Sequence, residues 1–182
     1  AGAISVAPGA HWRVYSVDPA QDTVGGLVYD FKQYNAVPAT AVQGSGNGVL
    51  YSIAPTATVA LGGPIDKVYD STTAATLTAG NFSVSGGLAG DTLSVSGGSS
   101  GTYDTANAGI GKTVTVNPAS VTVTALEGSI PVYGYTVAGG PLVSVMGSIT
   151  PAPLTVGSSD VVKPYDGNTS AAGTPVILSG SL

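Results

Sequence analysis

The sequence contains no cysteine. This excludes a disulfide framework and thiolate metal sites, without assigning a compartment. Charge is also scarce: 8% of the 182 residues are charged, against roughly a quarter in an ordinary globular domain. The five basic residues, Arg13, Lys32, Lys67, Lys112 and Lys163, are scattered. No cationic stripe is available to neutralise phosphates, and no nucleic-acid partner is expected. The same shortage argues against a basic amphipathic helix on an anionic bilayer, and no apolar run approaches the ~20 residues that span one. Membrane insertion is therefore not expected. Helix-favouring glutamate occurs once, at Glu127, and no window of about twelve or more residues keeps a helical apolar period free of Gly or Pro. The weak helical candidate is the Ala-containing stretch Thr72–Thr78. The opening Ala1-Gly-Ala-Ile-Ser5 has no Met, basic n-region or apolar h-region, so a targeting signal is expected elsewhere in a longer parent.

What is abundant is Gly (27), Pro (12) and β-branched or small residues. Thr92–Ser96, Thr113–Val116 and Val121–Thr124 alternate apolar and polar side chains between Gly, Pro, Asn and Asp punctuation, the pattern of short strands. An all-β fold is expected. Lys67-Val-Tyr-Asp-Ser-Thr-Thr-Ala-Ala75 is echoed by Lys163-Pro-Tyr-Asp-Gly-Asn-Thr-Ser-Ala-Ala172, an internal repeat. Thr150-Pro-Ala-Pro-Leu-Thr-Val156 reads as a proline-stiffened junction between copies. Half of the aromatics fall in the first 51 residues. The expected organisation is an aromatic-rich β segment at about 1–55, a complete repeat at 56–155 and the start of a truncated second repeat at 156–182.

Three runs, Lys67–Ala75, Gly101-Thr-Tyr-Asp…Gly-Lys-Thr-Val-Thr-Val116 and Ile149–Val156, together resemble the YDG repeat of filamentous-haemagglutinin-like exoproteins of Gram-negative bacteria. The second copy spells the motif as Tyr165-Asp166-Gly167, whereas the first has Ser71 in place of the glycine. Upstream, Trp12-Arg13…Asp18-Pro19 and Phe31-Lys32-Gln-Tyr-Asn35 look like the segment that follows a long β-helix in such proteins. The resemblance implies a β-helix-adjacent segment followed by a sandwich-like or β-grasp-like repeat. It also implies two-partner secretion through an outer-membrane transporter and display at the cell surface as an adhesin in attachment, aggregation or biofilm formation.

Sharper motifs fail on context. Ala106–Thr113 fits a relaxed Walker A pattern, but a phosphate loop needs a helix after it, and Thr-Val-Thr-Val-Asn-Pro follows. His11 is the sole histidine and stands beside Trp12 with no recognisable nucleophile motif. No enzyme, cofactor or metal site is expected. Ten scattered carboxylates show no calcium-loop alternation. The pairs Tyr69-Asp70, Tyr103-Asp104 and Tyr165-Asp166 read as structural motifs, a core tyrosine beside an acid that closes a turn. Trp12, Tyr15, Tyr29, Phe31 and Tyr34, with Arg13, Gln33 and Asn35 nearby, are the candidate ligand-binding residues for host or matrix glycans or receptors. The competing reading buries these rings beneath a β-helix end, with the chain acting as a stalk. Two sequons, Asn81-Phe-Ser83 and Asn168-Thr-Ser170, are candidate glycosylation sites expected at exposed or edge positions.

Overall fold

Alternating Thr/Val/Ser sequences broken by Gly and Pro favour many short strands over helices. The structure, a computed structural model, describes residues 4–180. It contains β1 (Arg13–Ser16), β2 (Phe31–Gln33), β3 (Gly48–Tyr51), β4 (Thr56–Leu61) and β5 (Ile65–Val68). These are followed by β6 (Ala74–Thr76), β7 (Phe82–Ser85), β8 (Thr92–Gly97), β9 (Ser100–Tyr103) and β10 (Gly109–Val116). The remaining strands are β11 (Val121–Glu127), β12 (Ile130–Tyr133), β13 (Thr136–Val137), β14 (Leu142–Thr150), β15 (Thr155–Ser158) and β16 (Pro175–Ser179). Among the described residues the only helical pieces are three single 3-10 turns. The protein is all-β.

Sequence alternation is translated directly into facing. In β4, Ala57, Val59 and Leu61 are buried while Thr56, Thr58 and Ala60 are exposed, as a period of two requires. The sheet β5-β14-β10-β9-β6 and the sheet β13-β4-β7 share one core, in which Val59, Leu61, Ile65, Tyr103, Val114 and Ile149 meet. This is a sandwich. The helical candidate at Thr72–Thr78 holds the short strand β6 instead. Ala75 points into the core and pairs with Gly101 of β9. Seven residues cannot sustain a helix nucleus alone, and sheet pairing satisfies the same backbone groups.

Strands on the two sides of the expected boundary near residue 55 pair with one another. A six-stranded sheet runs in the order β1-β3-β2-β12-β11-β8, and its join is the parallel pairing of Lys32 with Val132 and Gln33 with Tyr133. All residues of β2 and β3 are buried, so both faces are covered and both edges need ladder partners. The N-terminal strands thus continue the repeat's own sheet. By contrast, β15 and β16 pair only with each other, and most residues of 156–180 are exposed.

Asn81 departs from the exposed setting expected of its sequon. It is 8% exposed, and its Nδ2 donates to the carbonyls of Gly62 (3.2 Å) and Pro64 (3.1 Å). The folded chain therefore does not offer that nitrogen for modification. Asn168 is exposed.

Candidate functional site

Lys32 is placed by β2 between the buried Phe31 and Gln33. Alternation sends Phe31 into a cluster with Ala36 and Leu50 and Lys32 to the opposite face, where its Nζ lies 5.6 Å from the centre of the Tyr34 ring. A lysine removed from water needs anionic partners close by. Two are supplied by turns of the following repeat. Asp91 Oδ1 is 2.6 Å from Lys32 Nζ, and both side chains are almost wholly buried. Glu127 Oε2 lies 3.1 Å from the same nitrogen. Asp91 follows Gly90, whose φ of +84° belongs to a turn closed by the Asp91 N–H donating to Leu88 O at 2.9 Å. Glu127 ends β11 just before Gly128.

Three tyrosines complete the network. The hydroxyls of Tyr34 and Tyr135 both donate to Asp91 Oδ2, each at 2.8 Å. Tyr29 donates to Glu127 Oε2 at 2.6 Å. Burial, reinforced by the bond to Asp91, holds the Tyr34 phenol well above its ordinary range. Burial likewise raises Tyr29, with Glu127 adding to it. Tyr135 is pushed up to about 12, by burial first and by Asp91, against the opposing Leu88 N–H. All three phenols remain donors at neutral pH. Asp91 Oδ1 accepts no hydrogen bond, although the Lys32 nitrogen is 2.6 Å away.

A second theme is the lysine-closed turn. Lys67 Nζ contacts Asp70 Oδ1 at 2.6 Å and donates to Thr72 O at 2.7 Å, while the Thr72 N–H donates to Asp70 Oδ1 at 2.9 Å. In the second copy, Lys163 Nζ contacts Asp166 Oδ1 at 2.7 Å and donates to Asn168 O at 2.9 Å and Ser170 O at 2.6 Å. The turn closes there although most of the surrounding residues are exposed. The residue after the aspartate has positive φ in both copies, +64° at Ser71 and +73° at Gly167, which explains why glycine suits this position. Asp104 is closed similarly, by Lys112 at 3.2 Å. Lys112 lies in strand β10, so the Walker-like run has no helix to present a phosphate.

Of the three tyrosines in the Tyr-Asp pairs, only Tyr103 is a core anchor, buried and donating to Ile65 O at 2.6 Å. Tyr69 is 38% exposed and Tyr165 is 99% exposed. Both lie where no second sheet covers them, Tyr69 just past the edge strand β5 and Tyr165 between β15 and β16.

Asp70 gives the first testable consequence. The Lys67 ammonium, followed by the Thr72 N–H and hydroxyl, pulls its carboxyl from 3.8 down to about 2. A depressed folded-state pKa means that the interaction is complete above the unfolded value and is lost as pH falls through the folded one. The turn should therefore stay closed at pH 4 and open as the pH approaches about 2. Lys67→Met should move the Asp70 carboxyl titration, followed by NMR, back up toward 3.8; an unmoved titration would show that the lysine does not hold the acid.

The candidate aromatics are largely withdrawn from solvent. Phe31 and Tyr34 are fully buried and Trp12 is 9% exposed, while Tyr15 and Tyr29 are half-buried. The physical reason is the join with β12 and its neighbour β11, which cover the rings with Val132 and Ala125 on one side and Tyr133 on the other. Gln33 is spent inside, donating to Ala41 O and accepting from the Gln43 N–H. His11 is exposed. Lys32, Asp91, Glu127 and Tyr135 were not legible as a site. The available signals were a lysine within an aromatic strand and a sole glutamate in a charge-poor chain.

Residues 53–128 match the YDG domain. No curated protein and no solved structure matches the chain. The matched span begins before β4 and ends just after β11. Asp91 and Glu127 therefore lie within the matched span, whereas Tyr29, Lys32 and Tyr34 reach it from the preceding segment and Tyr135 from beyond it. The buried charge network is a clasp between the YDG-matched span and its flanks. Among the described residues, no three His, Cys, Asp or Glu side chains are grouped to hold a metal.

Proposed function

We propose that the chain is a non-catalytic structural segment of the stalk of a secreted bacterial surface adhesin. Its parent would be exported by a two-partner system through an outer-membrane transporter and displayed on a Gram-negative cell, supporting attachment, aggregation or biofilm formation. The observation that carries this reading is the clasp: the chain spends its four lysines on tying the YDG-matched span to the preceding strands and on closing turns. A fibre needs such continuity from unit to unit. The lysine-closed turn at 163–170 repeats the one at 67–72, which supports serial repetition.

The test is a screen of the folded chain against glycan and matrix-polysaccharide arrays, expected to show no specific binding; a saturable glycan ligand would overturn the stalk reading. Trp12 supplies an independent check. Being 9% exposed, it should be well shielded from acrylamide, and quenching close to that of free tryptophan would restore the aromatic surface.

A second reading has one observation in its favour. An open cleft of about 310 Å³ is bordered by Tyr15, Asp22, Thr23 and Tyr51, and a sugar ring could rest there. Of the five candidate aromatics only Tyr15 lines it.

A further inference from the structure

We propose that Lys32 and Asp91 are joined by an intramolecular isopeptide bond that the folded protein forms by itself, with Glu127 as proton relay. The proposal concerns a covalent modification and does not depend on the stalk reading.

The geometry around the carboxyl group is asymmetric in the way this reaction requires. Asp91 Oδ2 is held by two phenol donors, Tyr34 and Tyr135, whereas Oδ1 accepts no hydrogen bond and faces the lysine nitrogen at 2.6 Å. An ion pair optimised for stability alone would aim the ammonium along an Oδ1 lone pair. Here the nitrogen is 2.6 Å from Oδ1 yet makes no hydrogen bond to it.

With the Lys32 and Asp91 side chains both withdrawn from water, the ammonium–carboxylate pair and its neutral amine–acid tautomer approach one another in energy, because desolvation penalises the charged form of each partner. From the neutral pair, the Lys32 nitrogen lone pair attacks Asp91 Cγ. The electrons of the carbonyl move onto Oδ2, where the Tyr34 and Tyr135 hydroxyls stabilise the developing negative charge as an oxyanion hole does. Glu127, 3.1 Å from Nζ, takes a proton from the nitrogen and returns it to Oδ1. The Cγ–Oδ1 bond breaks, the carbonyl re-forms at Oδ2 and one water leaves. The balance is one ammonium and one carboxylate converted to one amide and one water, with no oxidant, metal or energy source. Tyr29, bonded to Glu127 Oε2 at 2.6 Å, is a positioning residue for the relay. The product amide keeps its oxygen on the two tyrosines.

Intact-mass measurement of the purified folded chain tests this directly. The expected mass is lower than the sequence mass by one water. Because trypsin does not cut after an acylated lysine, the digest should contain peptide 14–67 joined to 68–112 and lack free 14–32 and 33–67. Glu127→Gln, which keeps the shape but removes the base, should fold with a shielded Trp12 and retain the full mass. A wild-type chain that is folded yet has the full sequence mass, with the three peptides separate, would leave an ordinary buried ion pair and overturn the proposal. Undiminished water loss in folded Glu127→Gln would overturn the role given to Glu127.

Discussion

Asp91→Ala is expected to destabilise the chain by at least about 3 kcal/mol, because removing one partner of a buried ion pair leaves the other uncompensated. Lys32 would keep only Glu127, which is partly exposed, and the hydroxyls of Tyr34 and Tyr135 would lose their shared acceptor. A covalent Lys32–Asp91 link adds to the loss, since a cross-link closing a loop of this length restricts the unfolded chain by roughly 4 kcal/mol in the chain-entropy account. The double substitution Lys32→Met, Asp91→Leu removes both charges together and should be less damaging than Asp91→Ala alone, because apolar replacements of a buried pair are often tolerated. Urea unfolding of the wild type and both variants decides the matter. A loss below about 1 kcal/mol for Asp91→Ala would mean that water reaches Lys32 and that the clasp is a surface pair.

The legible part of the fold was local. Alternation at Thr92–Ser96, Thr113–Val116 and Val121–Thr124 placed strands that lie within β8, β10 and β11, because a period of two is imposed by the pleat itself. The turn acids were legible for the same reason: Asp70 and Asp166 bond to N–H groups two residues on. What the sequence left hidden depends on pairing across distance. Nothing within 31–33 announces that its partner is 132–133, and that one pairing turns an apparently separate aromatic segment into part of the repeat's sheet. The clasp was hidden likewise, since Lys32, Asp91 and Glu127 are remote in the chain and each has an unremarkable local context. Low charge has a structural consequence: each of the four lysines is committed to a carboxylate partner.

Phe31→Ala is expected to cost about 3–5 kcal/mol, the usual range for truncating a fully buried aromatic. The ring is enclosed closely. A Cβ built on either Gly44 or Gly48 would fall within it, so those two positions accept no side chain while the ring is present. Arg13 lies 5.0 Å from its centre, Tyr133 meets it edge-on at 6.3 Å, and Arg13 is anchored by donating to Gly46 O. Gly48→Ala should therefore be severely destabilising in the wild type, since overpacking of a filled site displaces backbone or ring. In the Phe31→Ala background the same methyl enters vacated space, and its cost should fall sharply. The two changes then couple, with the double variant more stable than the sum of the singles predicts by at least about 1 kcal/mol. Additive losses would show that the glycine is required for its backbone alone. Strong coupling would show that Phe31 is held as a core ring between two glycine backbones, which removes it from any adhesive surface.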